Sequence, residues 1–391
     1  MPALLTLAVL LNIWLNVNRV NTELDLDIFR ERVSSYLRSE RREASARVQD
    51  GELTIRYEYL YPRSQYDYFE KTIEFAPSSE DKTIYIYGSS PAVSRLPVIG
   101  GRSSAFPVIL ERKLNSVPQE PEFKVYNMAM TSADSEAIHE IIRATVAVKK
   151  PDLAVYFYEG GMDYEAAYHA AGIKEFFYPL KIISVKGLLK ASGLDKNRTL
   201  THWAGYLSWF NRCYFQPALL NFVQATGLMR VPAGSFKRVN AMITSDYKKN
   251  LDETVSFLAS RDVPVVLVLN PDNLEAKPYG VYSVTEFYYD SAMGSGDPED
   301  RLSLLKKARD SEIFTGDLGT RTEAYEAMKR LAKEGKKGVY VLDLAGELEQ
   351  QGYPLGYESF YDYGHMKPAL QEEVSSEIYE YLDSRGLLAG I

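Results

Sequence analysis

From residue 82 onward, short apolar runs alternate with helical patterns, and this alternation constrains the fold more than any other feature of the chain. The apolar runs predict strands, and the segments between them carry apolar residues at helical spacing. Strands that alternate with helices indicate a parallel sheet covered on both faces. We therefore predict an α/β domain of the three-layer α/β/α (flavodoxin-like) kind with a parallel five-stranded sheet. The predicted strands cover 83–87, 123–126, 153–158, 263–269 and 338–342, and the predicted helices cover 134–149, 246–260, 321–334 and 368–382.

Two long segments interrupt the alternation, at about 164–245 and 272–320. Each follows a predicted strand and so starts at the carboxyl edge of the sheet, where folds of this class place their sites. Upstream of the alternation, residues 21–81 predict a lead-in helix and strands. The predicted division is therefore an anchor over 1–20, the lead-in, and an α/β domain over 82–391 that contains both inserts.

The first residues differ in composition from the rest of the chain. Pro2 to Val17 is apolar apart from three polar residues, with no basic residue before it and no small-x-small cleavage site after it. That pattern departs from a signal peptide. A membrane span needs about 20 residues, and extension to Val20 only just reaches that length. We predict an N-terminal membrane-anchor helix over residues 2–20; a buried or interfacial helix is the alternative.

Composition and motifs exclude several classes of function. The net charge of −8 argues against non-specific nucleic-acid binding, which needs a basic surface. The single cysteine, Cys213, excludes an internal disulfide framework. The chain has no His-Glu-x-x-His, no cysteine pair, no Walker loop and no Gly-x-Gly-x-x-Gly after a strand. We therefore predict no cofactor and no metal. The 29 tyrosines suit a surface that binds sugars or proteins, and they equally suit ordinary sheets.

The first predicted strand ends in Gly88-Ser89-Ser90-Pro91. Proline suits the first position of a helix, so Ser90 is predicted to be the N-cap, with its hydroxyl at the carboxyl end of a strand. Free N–H groups and the positive end of the helix dipole lie beside such a residue. The setting suits a nucleophile that attacks a carbonyl, and it suits equally a serine that only caps a helix.

A serine nucleophile needs a base, and usually a carboxylate that orients the base. Among the four histidines, His365 stands in a loop before the final helix, three residues after Asp362. The carboxylate can take one ring N–H and leave the other nitrogen facing a serine. The position of His139 in a helix indicates packing or surface. His169 and His202 lie in the first insert, where each can contact substrate or fill space.

At this point the residues resemble a known family, the SGNH (GDSL-like) hydrolases, in four blocks that follow in order. Gly88-Ser89-Ser90 is similar to the first block, with Ser89 where many members have aspartate. The resemblance implies that the Ser90 hydroxyl is the nucleophile and that the Ser90 backbone N–H donates to the oxyanion. Asp362 and His365 are similar to the last block, which is the closest match, and the resemblance completes a Ser-His-Asp triad.

The second and third blocks resemble the family less closely. Residues 127–132 are similar to the second block, with Ser132 in place of the glycine whose N–H faces the oxyanion. Residues 160–163 are similar to the third, Gly-x-Asn-Asp, and the resemblance adds Gly161 to the predicted oxyanion residues. Met162 occupies the usual asparagine position, and a thioether cannot donate a hydrogen bond.

The methionine leaves three interpretations open. Another amide, such as that of Asn127, replaces the asparagine. In the second interpretation the enzyme is slow, because loss of one such donor typically costs about 100- to 1000-fold in rate, or a partner completes the oxyanion hole. Alternatively, the fold serves binding or assembly and only retains the triad.

The resemblance and the apolar start together imply a function. The apolar start, the Gly-Ser-Ser block and the Asp-x-x-His block are similar to those of a membrane-anchored, extracytoplasmic branch of the family. Members of that branch work beside membrane-bound O-acyltransferases. We predict a periplasmic or cell-surface serine esterase or O-acyltransferase acting on acylated cell-envelope glycan or lipid. Predicted partners are that polysaccharide or lipid, the membrane through residues 2–20, and a membrane-bound O-acyltransferase or other envelope protein. The alternatives are a catalytically impaired SGNH-fold scaffold of an envelope assembly and a cytosolic, unanchored hydrolase.

Overall fold

The computed structural model of the chain consists of two compact units. The α/β unit comprises Ser39–Ala166, Ala241–Ala276 and Gly316–Ile391, and the insert unit comprises Met1–Arg38, Ala167–Asn240 and Lys277–Thr315. The structure describes residues 26–38, 43–63, 66–78, 80–93, 105–116, 121–158, 160–170, 233–276, 283–311 and 322–389. Within these ranges no helix combines the length and the apolar character that a membrane crossing requires. The predicted anchor over 2–20 lies outside them.

In chain order, the described helices and strands are α1 (Leu26–Arg38), β1 (Ala44–Gln49), β2 (Glu52–Arg63), β3 (Tyr66–Glu74), β4 (Lys82–Gly88), α2 (Ser90–Val93), α3 (Phe106–Leu114), β5 (Phe123–Asn127), α4 (Ser135–Val148), β6 (Leu153–Phe157), α5 (Gly161–Ala170), α6 (Ala233–Ser260), β7 (Val265–Val268), α7 (Ser283–Gly294), α8 (Pro298–Ser311), α9 (Thr322–Lys333), β8 (Val339–Leu342), α10 (Leu344–Gln350) and α11 (Pro368–Ser384).

Five parallel strands form the central sheet, in the order β5-β4-β6-β7-β8, which confirms the predicted parallel five-stranded sheet. Each strand lies within two residues of its predicted bounds. The chain passes from β4 outward to β5 and then returns across β4 to form β6. The order of the strands therefore reverses beside β4, and sheets of this kind bind ligands beyond the carboxyl ends at such a point.

The two faces of the sheet carry different side chains. In β4, Tyr85 and Tyr87 lie in one buried cluster, while Ile84 and Ile86 lie in another, because successive residues of a strand point to opposite faces. Helices α4, α6 and α9 pack on the tyrosine face, and α3, α10 and α11 pack on the isoleucine face. The predicted three-layer arrangement is confirmed.

The lead-in residues supply a second sheet that is part of the same core. Strands β1, β2 and β3 form an antiparallel sheet in that order. Leu53, Ile55 and Phe75 are buried in the cluster that covers the tyrosine face of the central sheet. The β1–β3 sheet is therefore packed against the α/β layers and is not a detached linker.

Helix α6 begins at Ala233, well before the predicted start at residue 246. Its first half, Ala233-Gly-Ser-Phe and onward, contains glycine, serine and β-branched residues that have low helix propensity. In the insert unit, α7 and α8 are joined by a hydroxyl–hydroxyl contact of 3.0 Å between Thr285 and Ser311. Most of the first insert, including His202, lies outside the described residues.

Gly88, the last residue of β4, lies where no side chain fits. A Cβ at this position would stand 2.1 Å from the Phe157 carbonyl oxygen of β6 and 2.8 Å from the Ala92 Cβ of α2. Backbone and a short buried side chain cannot move aside without separating β4 from β6. Glycine is therefore required for the strand to end this close to its neighbour and for α2 to begin at once.

We expect Gly88→Ala to lower the free energy of unfolding by about 1–3 kcal/mol, because the added methyl group overlaps main-chain atoms. Gly296→Ala is the control, since no heavy atom lies within 4 Å of its added Cβ. That change should stay within about 0.5 kcal/mol. Urea unfolding of both variants measures the difference, and equal midpoints would show that Gly88 is not constrained in this way.

Candidate active site

The Asp362–His365 loop is a short, internally bonded turn before α11. Phe360 and Met366 form an antiparallel bridge across it. The Tyr361 N–H donates to the His365 carbonyl at 2.8 Å. Proline at the start of α11 ends the turn, since it is the first residue of that helix. These contacts define the path of the loop that carries Asp362 and His365.

Asp362 accepts three hydrogen bonds from the loop that contains it. Its Oδ2 lies 2.7 Å from His365 Nδ1, and its Oδ1 accepts the N–H groups of Gly364 at 3.0 Å and His365 at 2.8 Å. Burial opposes ionisation, but the hydrogen bond and charge of the His365 ring outweigh it and lower the pKa of Asp362 below its usual value. The ionised carboxylate can only accept, so Nδ1 carries a proton, and Nε2 has a lone pair whenever the ring is neutral.

Asn273 supports this loop from the end of β7. Its backbone N–H donates to the Tyr363 carbonyl at 3.0 Å, and its side-chain amide donates to the Asp362 carbonyl at 2.8 Å. Asn273 is buried. Sequence reasoning did not select it, although three polar side chains in the segment Asn270-Pro271-Asp272-Asn273, directly after the predicted strand 263–269, are the signal that could have found it.

Ser90 lies at the carboxyl end of β4, as predicted, but it is not the N-cap. The Ser89 carbonyl accepts the N–H groups of Ala92 and Val93, both at 3.1 Å, so Ser89 is the cap and Ser90 is the first helical residue. The strand ends so tightly at Gly88 that the helix begins one residue earlier than the Ser-Pro pair suggested. Ser89 is fully buried, whereas Ser90 is partly exposed.

The Asp362–His365 loop packs against the helix that begins at Ser90. A Cβ built on Gly364 would stand 3.6 Å from Pro91 Cγ, an ordinary van der Waals contact. Pro91 directly follows Ser90, and Gly364 directly precedes His365. The structure thus brings together the first and last of the four blocks at the carboxyl edge of the sheet.

The second block forms a loop beside the end of β4. The Met128 N–H donates to the Ile86 carbonyl at 2.8 Å, and the Met130 N–H donates to the Gly88 carbonyl at 3.1 Å. Ser132 has a φ of +60°, the left-handed region that favours glycine. The backbone at Ser132 therefore has a conformation that glycine adopts at little cost, and glycine is the residue that Ser132 replaces in the resemblance.

Asn127 braces this loop to the helix of Ser90. Its Nδ2 donates to the Ala92 carbonyl at 2.9 Å, and its Oδ1 accepts the Ala129 N–H at 3.0 Å. The two bonds fix the orientation of the amide, because one end donates and the other accepts. The amide connects α2 to the second block with one of its two N–H donors, and the hypothesis that Asn127 replaces the missing oxyanion donor stays a prediction.

The third block places its residues in two environments. Gly160 has a φ of +78°, and Gly161 is the first residue of α5. The Met162 side chain is buried in the cluster on the tyrosine face of the sheet. A thioether suits that apolar cluster, which gives a packing reason for methionine in the usual asparagine position.

Asp163 is the centre of a buried polar network that the sequence reasoning did not select. Its carboxylate accepts from the hydroxyl of Tyr158 and from both the hydroxyl and the N–H of Ser135. The Asn250 side chain donates to the Ser135 hydroxyl at 2.9 Å. Burial, aided by repulsion from Asp134, raises the pKa of Asp163 to about 7. The network joins the start of α4, which follows the second block, to the start of α5.

The remaining predicted histidines are less informative. His139 lies on α4, where its Nδ1 is 3.0 Å from the Thr254 hydroxyl, in agreement with a packing role. The side chain of His169 and the whole of His202 lie outside the described residues.

Comparison with known proteins returns similarities of structure. No protein-family model and no curated protein sequence matches the chain. The chain is similar to the crystal structure of a lipase/acylhydrolase from Enterococcus faecalis, with 13% identity, a TM-score of 0.37, and coverage of 78% of this chain and 96% of that one. It is also similar to the acetyl xylan esterase AlAXEase, with 10% identity, a TM-score of 0.38, and coverage of 77% of this chain and 99% of that one. A third similar structure is LAE5, an alpha/beta hydrolase from the metagenome of Lake Arreo, Spain, with 14% identity, a TM-score of 0.39, and coverage of 78% of this chain and 96% of that one.

These neighbours are named as lipases, esterases and hydrolases, the class of enzyme that the four sequence blocks resemble. At this level of identity and TM-score, they do not by themselves give the chain an activity. What the chain can do chemically follows from its own residues.

The raised pKa of Asp163 predicts a pH dependence of stability. An aspartate in the unfolded chain is ionised above about pH 4, whereas Asp163 in the folded chain holds its proton up to about pH 7. The folded state therefore binds more protons between these values, and the free energy of unfolding falls as the pH rises from about 4 to about 7. Above that range the contribution of Asp163 is constant.

We expect Asp163→Asn to flatten this slope, because asparagine does not titrate. Urea unfolding at several pH values between about 4.5 and 8 measures the slope for parent and variant. Asp343→Asn is the control, since Asp343 is a solvated N-cap residue on α10 that pairs with Lys329. A variant that keeps the parent's slope would show that Asp163 is not the group that titrates.

Proposed function

We propose that the chain is an SGNH-type serine hydrolase of ester bonds. One observation carries the proposal. A histidine whose Nδ1 lies 2.7 Å from a carboxylate stands in a loop that packs against the helix beginning at Ser90. Activation of a serine hydroxyl needs such a pair, in which the carboxylate fixes the ring so that its other nitrogen accepts the proton, and the proposal assigns Ser90 as that serine.

In the proposed reaction the Ser90 hydroxyl oxygen attacks the ester carbonyl while His365 Nε2 takes its proton. The tetrahedral intermediate collapses when His365 returns the proton to the leaving alcohol, and Ser90 keeps the acyl group. Water, activated by the same histidine, then releases the acid. A sugar or polymer hydroxyl in place of water gives acyl transfer. Asp362 stays ionised and stabilises the imidazolium that forms in each step.

Backbone groups are the proposed oxyanion donors. Ser90 and Gly161 are the first residues of α2 and α5, so their N–H groups have no acceptor within their own helices. Ser132, with its left-handed backbone, supplies the third N–H. The buried Met162 thioether supplies none, and the loss of one side-chain donor typically costs about 100- to 1000-fold in rate. We therefore expect a slower enzyme than one with the full set.

The substrate class and location are part of the proposal. Aromatic rings lie beside the base: the Tyr363 ring meets the His365 ring edge-on at 6.0 Å, and the Lys367 ammonium lies 5.9 Å from the Tyr361 ring. Such surfaces suit sugar rings. With the family resemblance and the apolar residues 2–20, they support an anchored, extracytoplasmic esterase or O-acyltransferase that acts on acylated envelope glycan or lipid. A membrane-bound O-acyltransferase is the proposed partner.

A catalytically impaired scaffold is the second candidate, and Met162 favours it. The methionine is part of an apolar cluster, so nothing in the third block replaces the missing amide. In that case the fold binds an envelope partner or glycan and the triad is a remnant. Ser90→Ala in cells separates the two candidates, since a scaffold keeps its cellular phenotype after this change and an enzyme loses it.

We expect Ser90→Ala to abolish covalent labelling by a hydrophobic fluorophosphonate probe, because the probe reacts with an activated serine. The neighbouring Ser89→Ala is the matched control and should be labelled like the parent, since Ser89 is buried and lies outside the proposed triad. Mass spectrometry of the labelled peptide identifies the site. An unlabelled parent protein, beside a labelled control esterase, would refute the proposed activity.

Asp362→Asn tests the role of the carboxylate in ester hydrolysis. Asparagine can donate to the ring and favour the wrong tautomer, so kcat on a short-chain p-nitrophenyl ester should fall by about 10,000-fold. The Michaelis constant should change little, because Asp362 contacts the histidine and not the substrate. A variant with parental kcat would show that His365 does not need this partner.

A further inference from the structure

The side chain of Lys71, on β3 of the lead-in sheet, binds main-chain carbonyls of the loop formed by the second block, residues 127–132. Its ammonium donates to the carbonyl of Asn127 at 2.7 Å and to the carbonyl of Ala129 at 2.8 Å. It also lies 3.5 Å from the side-chain oxygen of Asn127. The side chain is partly buried, and hydrogen bonds from a charged donor in such a setting are stronger than those between neutral groups.

These contacts begin a chain of hydrogen bonds that leads to both sides of the proposed site. The Asn127 carbonyl binds Lys71, and the Asn127 amide binds Ala92 on the helix of Ser90. The Ala129 carbonyl binds Lys71 two residues after the end of β5, in the loop that continues to Ser132. One ammonium group thus holds main-chain atoms next to the proposed nucleophile helix and the proposed oxyanion loop.

The loop needs such an anchor. Beyond Asn127 it is no longer part of a strand, and its bonds to β4 end with the Met130 N–H. It must still hold Ser132 in a left-handed conformation, which is unfavourable for a residue other than glycine. Across Ser132 the Ala133 N–H closes a turn on the Met130 carbonyl at 3.3 Å, and the Ala129 carbonyl that Lys71 binds directly precedes this turn.

We propose that Lys71 is a positioning residue for ester hydrolysis at Ser90, and that the β1–β3 sheet is thereby a functional part of the site. The inference rests on the proposed function. Lys71 does not touch the substrate; it acts through Asn127 and Ala129 on the orientation of the Ser132 N–H.

The first test compares kcat and the Michaelis constant for three variants on a p-nitrophenyl ester. Lys71→Met keeps the aliphatic stem and removes the donors, and we expect kcat to fall about 10- to 100-fold with the Michaelis constant within about 3-fold. Lys71→Arg keeps the charge and the donors and should recover part of the loss. Lys149→Met is the control, since its ammonium also donates to a lead-in carbonyl, that of Ser78, at 2.9 Å, but from the C-cap of α4.

The second test does not depend on activity. Amide hydrogen exchange of the peptide covering residues 127–134 should be at least about 10-fold faster in Lys71→Met than in the parent, and unchanged in Lys149→Met. If Lys71→Met does not fold, the kinetics and the hydrogen exchange are both measured on Lys71→Arg. Parental exchange together with parental kcat in a labelled enzyme would overturn the inference. An unlabelled parent protein would instead overturn the proposed function, while faster exchange would still show that Lys71 anchors the loop.

Discussion

The close approach of β4 to β6 at Gly88 governs the carboxyl edge of this sheet. Because no Cβ fits between the Phe157 carbonyl and Ala92, the strand can end beside its neighbour and α2 can begin at the next residue but one. This geometry places the single turn of α2, with the partly accessible Ser90 at its start, where the strand order reverses. Ser90 is partly accessible for this reason, while Ser89 is buried beneath it.

Amide and ammonium side chains stabilise the loops at this edge by binding main-chain atoms. Asn127 joins the second block to α2, Asn273 joins the end of β7 to the Asp362–His365 loop, and Lys71 joins the lead-in sheet to the second block. The three bonds satisfy carbonyls in α2, in the loop before α11 and at the end of β5. A proposed site assembled from several loops is thereby pre-organised in the absence of substrate, which is what electrostatic catalysis requires.

The fold was predictable because its signals are local. The strands of the central sheet are apolar runs, and proline or glycine marks their ends, so β4 and α11 lie close to their predicted bounds. The pairing of Asp362 with His365 was predictable for the same reason, since three residues separate them. The contacts of Lys71 and Asn273 were not, because they join residues 56 and 89 positions apart and depend on how the sheets pack. Ser132 was identified by resemblance alone; its backbone conformation has no sequence signal.

The unequal faces of the central sheet have a consequence for how the chain avoids misfolding. In β4, tyrosines point to the layer of α4, α6 and α9, and isoleucines point to the opposite layer. The Tyr87 hydroxyl pairs with the Thr145 hydroxyl at 2.9 Å, a bond that exists on one side only. A slip of one residue in register would exchange the two sets, bury phenol groups among aliphatic side chains and leave Thr145 without this partner. The alternation therefore distinguishes the correct register from its nearest competitor, whereas a strand of isoleucine and valine alone would tolerate both.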